Sequence, residues 1–154
     1  MDLLVRLYDL PAPEVVADRR GGLQVRRAFA AEKELVRRWI AQQFGNAWAS
    51  ESEAAFARLP LACFVAVAED QLVGFACYDA TARGFFGPFG VAEDQRRRGF
   101  GRALLFATLR DMAAQGYAYA IIGAPASEEF YRRDLDVMTV PGSTPGFYRG
   151  LLKE

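Results

Sequence analysis

GVAEDQRRRGFGRALLFATLRDMAAQ, the stretch from Gly90 to Gln115, runs from the apolar end of a strand through an acidic turn and a basic, glycine-bearing turn into an amphipathic helix. Strand, basic turn and helix in that order make an anion site. The first N–H groups of a helix have no internal partner and carry about half a unit of positive charge. Glycine lets an anion approach the backbone, and arginine adds full charge with several donors. Arg96, Arg97, Arg98, Gly99, Phe100, Gly101 and Arg102 are therefore the candidate anion-binding residues. A dinucleotide fingerprint does not fit, because Leu104 stands where its third glycine belongs, and the Gly-Lys-Ser/Thr of a P-loop is absent. The helix turns Ala103, Leu104, Ala107, Thr108, Leu109 and Met112 to the core and ends at Gly116.

Upstream, Phe85 to Val91 reads as a strand interrupted by Gly87, Pro88 and Gly90. These residues loosen pairing and remove a ladder donor, so the pattern predicts a bulge and a strand that splays from its neighbour just before the basic turn. Leu61–Glu69, nearly all apolar, is expected as a central strand, and Leu72–Ala80 returns along it from a turn at Asp70-Gln71. Further back lie strands at Leu3–Leu10 and Leu23–Phe29, with a turn at Asp18–Gly22 between them. A helix over Ala31–Phe44 carries an apolar stripe of Leu35, Val36, Trp39, Ile40 and Phe44. A second helix is expected from an N-cap at Ser50, with Glu53 completing a capping box, through Leu59. Downstream come a non-edge strand over Tyr117–Gly123, a short helix over Glu128–Arg133 begun by Pro125 and Ser127, and strand-like pieces at Val137–Val140 and Phe147–Leu151. Antiparallel hairpins followed by a strand–helix–strand crossover give a mixed α/β (α+β) fold, with helices on both sheet faces and a ligand site at the carboxyl ends of the central strands.

The chain has 154 residues, 52% of them apolar and 25% charged, which suits one domain over residues 1–154 around one core. Acidic and basic residues number 19 each, against the basic excess expected of a nucleic-acid binder. There is no histidine, which removes Ser-His-Asp and Cys-His catalysis and imidazole metal ligation. Cys63 and Cys77 fall in apolar runs and read as buried, reduced thiols outside any metal-ligand spacing, so no metal is expected. Asp2 and Arg6 break the apolar N-terminus, and the longest apolar run, Leu61–Ala68, is strand length. A cytoplasmic protein with no membrane partner is the expectation.

Val91, then Arg96-x-x-Gly99-x-Gly101, then Arg102-Ala103-Leu104-Leu105 resembles the acetyl-coenzyme A signature of the GNAT superfamily of N-acetyltransferases, and the order of elements is similar to that fold along nearly the whole chain. The resemblance implies a strongly twisted sheet of about seven strands, with acetyl-CoA as donor. It implies that backbone groups of Phe89, Gly90 and Val91 pair with the pantetheine arm, and that amides from Arg97 to Arg102 bind the pyrophosphate. The Val91 N–H would polarise the thioester carbonyl, worth about 3 kcal/mol in comparable sites. Tyr131 would protonate the leaving thiolate. An Asn usual in the family is here Ala124, and Ser127 is the candidate to replace it; a usual Glu is absent, with Tyr119 near its place. Asp79, Glu51 and Glu53 stand as alternative bases beside a route through water.

The blocks GFACYD, GFFGPFGV, GYAYAIIG, FYRR and VPGSTPGFYRG are similar to a bacterial GNAT subgroup found near enzymes of cell-wall amino-sugar recycling. That likeness implies an amino sugar or related small amine as acceptor. Asp134-Leu135-Asp136 departs from the subgroup's glycine after this FYRR block, and Trp39, Phe44, Trp48 and Phe85 are candidates to line the acceptor pocket. The expected reaction is direct attack of a primary amine in a ternary complex, by a monomer or homodimer. A coenzyme A-binding sensor and a protein N-terminal or lysine acetyltransferase are the alternatives.

Overall fold

A computed structural model describes residues 1–12 and 23–153; the turn expected at Asp18–Gly22 lies outside them. The strands are β1 (Leu3–Arg6), β2 (Leu23–Arg27), β3 (Cys63–Ala68), β4 (Gln71–Tyr78), β5 (Phe85–Val91), β6 (Tyr119–Ile122) and β7 (Val137–Thr139). The helices are α1 (Lys33–Phe44), α2 (Asn46–Phe56), α3 (Phe100–Ala114) and α4 (Glu128–Asp134). The seven strands form one sheet in the order β2-β3-β4-β5-β6-β1-β7, antiparallel throughout except between β5 and β6. The mixed sheet expected from the crossover is present.

Successive residues of β4 show how the two layers form. A Cβ on Gly74 would lie 2.8 Å from Cδ1 of Leu104, so α3 rests directly on this face. Phe75, next in the strand and fully buried, points the other way into the rings of Trp39, Phe44 and Trp48 on α1 and α2. The helices therefore cover opposite faces. On α3 the buried arc is wider than its alanine spacing suggests: Phe100, Leu105 and Phe106 are buried with Leu104, Thr108, Leu109 and Met112, whereas Ala103 and Ala107 are half-buried.

Several local expectations are corrected. The second helix begins at Asn46, with Ser50 inside it, because Gly45 at φ +101° reverses the chain in one residue and needs no capping side chain. The hairpin turn is Glu69-Asp70, both in the left-handed region at φ +50° and +59°, so β4 already starts at Gln71. Leu35 is 55% exposed, which narrows the buried stripe of α1 to Val36 and Ile40 with Trp39 and Phe44 at its edge. The first strand stops at Arg6, where Leu7–Asp9 coils into a 3-10 turn while Leu7 stays buried. Phe147–Leu151 is a run of turns, since Gly146 and Gly150 take positive φ around it. No helix among the described residues is long and apolar enough to cross a membrane.

The bulge is where Gly87 and Pro88 predicted it. Ala76 faces Phe89 and Tyr78 faces Phe86, so both Gly87 and Pro88 stand against Cys77 alone. Pairing of β5 with β6 is confined to Phe85↔Ile121 and Phe86↔Ile122. Past Phe86 the two strands part, and the sheet opens into a wedge-shaped gap.

Candidate active site between the splayed strands

Ladder alternation decides which backbone groups of β5 face the gap. Ala92 donates its N–H to the Val73 carbonyl at 2.9 Å, so positions 92 and 90 bond to β4, while the intervening pairs Val91↔Gly74 and Phe89↔Ala76 do not. Phe89 and Val91 therefore turn their amides into the gap. Gly90, expected to share that duty, directs its amide and carbonyl to β4 instead. Its missing side chain makes room for Phe44, whose ring lies within 2.5 Å of where a Cβ would stand.

Beyond Val91 the backbone curls through a 3-10 turn at Glu93–Gln95, then through left-handed Arg97 (φ +66°) and Gly99 (φ +87°). Ala103 makes a helical bond to the Gly99 carbonyl at 3.1 Å, which leaves the amides of Phe100 and Gly101, at the start of the helix, without helical acceptors. A curled turn at a helix N-terminus forms a nest for an anion. The arginine side chains have separate tasks. Arg96 Nε donates to the Val91 carbonyl at 3.2 Å and braces the turn against β5. Arg98 donates to Gln95 Oε1 at 2.6 Å and lies over the Phe100 ring, and Arg102 pairs with Asp134 at 3.2 Å. Arg97 is exposed.

The gap holds a cavity of about 270 Å³ lined by residues of β5, by the chain from Ile122 to Ser127, by Trp48 of α2 and by Phe130 and Tyr131 of α4. Tyr131 is buried at 8% exposure, and its ring meets Phe130 and Phe86 edge-on at 5.1 and 6.4 Å. Burial pushes its hydroxyl far above the ordinary tyrosine range, and the group makes no hydrogen bond to the described residues. Tyr131 thus lines the cavity with its hydroxyl held in the protonated form. Ser127, the expected stand-in for the absent Asn, also lines the cavity while capping α4 by accepting the Phe130 N–H at 3.3 Å. Ala124 holds the missing Asn's position in the left-handed region at φ +40° and donates its N–H to Asp2 Oδ1 at 3.2 Å.

A larger groove, about 390 Å³, runs along the outer flank of α3 beside β2 and is bordered by Arg98, Gly99, Arg102, Phe106 and Arg110. Its lining offers neither hydroxyl nor carboxylate among the described residues, whereas Ser127 and Tyr131 line the smaller cavity.

Of the acceptor candidates, only Trp48 lines the cavity. Phe85 lies behind Gly123, against Phe147 at 5.2 Å. Trp39 packs on Phe44 and Phe75 inside the α1–α2 layer. Asp79 is buried and spent on local structure, accepting from the Gly84 N–H at 2.7 Å and from the Tyr117 hydroxyl. Glu53 points to Arg37 at 3.7 Å, and Tyr119 stacks edge-on with Tyr8 at 5.6 Å outside the cavity. Glu51 accepts from the hydroxyls of Thr81 and Tyr148. The part played by Tyr148 and its neighbour Phe147 was not read from the sequence; the only local sign is an aromatic pair set between glycines.

A family model described as the Acetyltransferase (GNAT) family matches residues 33–136, from the start of α1 to just beyond α4. The chain belongs to the GNAT family. Among solved structures, the fold is shared with the GCN5-related glucosamine N-acetyltransferase region of a fungal multi-domain GH3 β-N-acetylglucosaminidase, at TM-score 0.70 and 16% identity over 90% of this chain and 19% of that one. A GCN5-related N-acetyltransferase from Sphaerobacter thermophilus matches at TM-score 0.62 and 20% identity, over 89% of this chain and 47% of that chain. One from Kribbella flavida matches at TM-score 0.56 and 18% identity, covering 86% and 51%. This GNAT domain thus spans between about a fifth and a half of these relatives' lengths. No protein of curated function matches the sequence. GNAT proteins are acetyltransferases that use acetyl-CoA, and the inward amides of β5 with the nest at α3 suit a ligand that carries an extended amide arm and a pyrophosphate.

Proposed function

We propose that this GNAT domain moves acetyl from acetyl-CoA to a primary amine of a small molecule by direct attack in a ternary complex, with an amino sugar as the first candidate. The observation that carries the reading is that β5 aims the Phe89 and Val91 amides into a gap closed on its other side by the protonated, unbonded hydroxyl of Tyr131. The amides of Phe89 and Val91 take the place of a missing strand edge and hold the pantetheine arm. The first amides of α3, with Arg97 and Gly99 curling the turn, hold the pyrophosphate. As the amine nitrogen attacks the thioester carbon, the Val91 N–H stabilises the oxygen on which charge gathers. The C–S bond breaks, the departing sulfur takes the Tyr131 proton, and the nitrogen gives its own proton to water. The amine must arrive neutral for this to proceed.

The likeness to a glucosamine N-acetyltransferase region supports an amino-sugar acceptor. A cytoplasmic setting suits Cys63 and Cys77, which face each other across β3 and β4 as free, buried thiols. A second reading, a coenzyme A sensor without turnover, is favoured by one observation: no carboxylate is found among the residues lining the cavity. Calorimetry with acetyl-CoA tests what both readings share, and absence of binding would sink them together. Thiol release with glucosamine, spermidine, lysine and a short peptide separates turnover from sensing.

A further inference from the structure

Glu51 leaves α2 one turn after Trp48, so the two side chains share a helix face, and Trp48 lines the cavity. The hydroxyls of Thr81 and Tyr148 both donate to one oxygen of its carboxylate, Oε1, and lie 3.3 Å from each other. The other oxygen, Oε2, accepts nothing from the described residues. No arginine or lysine among them pairs with Glu51; Arg37, which reaches α2 from α1, serves Glu34 and Glu53. One half of a half-buried carboxylate is thus held rigidly and the other half is open.

An aromatic wall joins this carboxylate to the cavity. Tyr148 meets Phe147 edge-on at 5.7 Å, Phe147 meets Phe85 at 5.2 Å, and the Phe85 ring lies against Gly123, a cavity-lining residue. Phe147 is 54% and Tyr148 42% exposed, so the wall is open to solvent. A free carboxylate oxygen near exposed aromatic side chains is a receptor for a cation.

That cation is not the reacting nitrogen. A carboxylate beside an ammonium favours its charged form, whereas attack on the thioester requires the neutral amine. The group bound at Glu51 must be a second one, on the same acceptor, reaching back along the aromatic wall.

Resting on the acetyltransferase reading above, we propose that Oε2 of Glu51 binds a second cationic group of the acceptor, so that the preferred acceptor is a small diamine or a sugar bearing two amines. Thr81 and Tyr148 are positioning residues that fix the carboxylate. The test titrates cadaverine and pentylamine, which differ only in the second amine, into the protein saturated with coenzyme A. In the wild type cadaverine binds about tenfold more tightly or better, as a charge-assisted bond at a sheltered site allows. Glu51→Gln brings the ratio of the two affinities close to one, while acetyl-CoA affinity and the melting midpoint stay at wild-type values. Tyr148→Phe lowers the ratio severalfold alone and has no further effect in the Glu51→Gln background, as expected of a residue that acts through Glu51. A wild type that binds the two amines equally, or binds neither, overturns the inference, as does a ratio that survives Glu51→Gln. Failure of acetyl-CoA itself to bind overturns the acetyltransferase reading instead.

Discussion

The ring of Phe44 fills the space that a side chain on Gly90 would need, since a Cβ there would stand 2.5 Å from Cζ and 2.9 Å from Cε1 of the ring. One helix end thereby sets the depth of β5, the strand whose amides face the gap. Gly90→Ala must push the ring or the strand aside, and overpacking of this kind costs about 1–3 kcal/mol. Urea unfolding should show that loss, and calorimetry should show weaker acetyl-CoA binding because Phe89 and Val91 move with the strand. In a Phe44→Leu background the same substitution should cost markedly less; equal costs in both backgrounds would break the link.

Gly99 and Gly101 sit two residues apart in the signature turn but are glycines for different reasons. Gly99 is left-handed at φ +87° with open space around it, whereas a Cβ on Gly101 would meet only the Phe89 and Phe130 rings at 3.5 and 3.6 Å, ordinary contact distances. Gly99→Ala should cost roughly 1–2 kcal/mol and weaken acetyl-CoA binding, because an L side chain resists the left-handed curl that gathers the amides. Gly101→Ala should leave stability within about 0.5 kcal/mol of wild type, the usual range for changes that meet no strain. Paired denaturant curves and calorimetric titrations check both.

Tyr131→Phe removes a hydroxyl that has no partner among the described residues and leaves the ring contacts to Phe86 and Phe130 in place. Stability and acetyl-CoA affinity should therefore hold, while kcat falls about 100-fold, within the usual range for loss of a general acid. Because burial raises its ionisation far above the ordinary range, the wild-type rate should show no alkaline fall from this group at pH 9 to 10. Undiminished turnover in the phenylalanine variant would remove Tyr131 from the mechanism.

Burial and the hydrogen bond to Glu51 push the Tyr148 hydroxyl up to about 12 from its ordinary 10. The folded protein then keeps a proton that the unfolded chain releases. The resulting stabilisation is complete below pH 10 and is lost as pH rises from 10 through 12. Urea midpoints measured across that window should fall with pH, and Tyr148→Phe should flatten the slope. An identical slope in the variant would place the loss elsewhere.

The bulge of β5 and the curled turn before α3 were legible in the sequence because backbone-determined signals carry them. Gly87-Pro88 announced the bulge, and the basic turn announced the nest, each within a few residues. The engagement of the candidate carboxylates was not legible, because their contacts join distant positions. Asp79 is engaged by Tyr117, 38 residues away, and Glu51 by Tyr148, 97 residues away. Alternation and capping patterns report on nearest neighbours, so they could nominate a carboxylate without saying whether it was already spent. The same limit explains the misplaced start of α2: Ser50 and Glu53 have the capping spacing, but the reversal at Gly45 had begun the helix five residues earlier.

Because β5 and β6 meet at only two paired positions, the sheet is two leaves hinged at one corner, β2 to β5 forming one and β6, β1 and β7 the other. A ligand lying along the inner edge of β5 would stand where a further strand could pair. The donor would then be a reactant and a structural keystone at once, closing the leaves as it arrives and loosening them as coenzyme A departs, with the protein's resistance to unfolding rising and falling in every cycle.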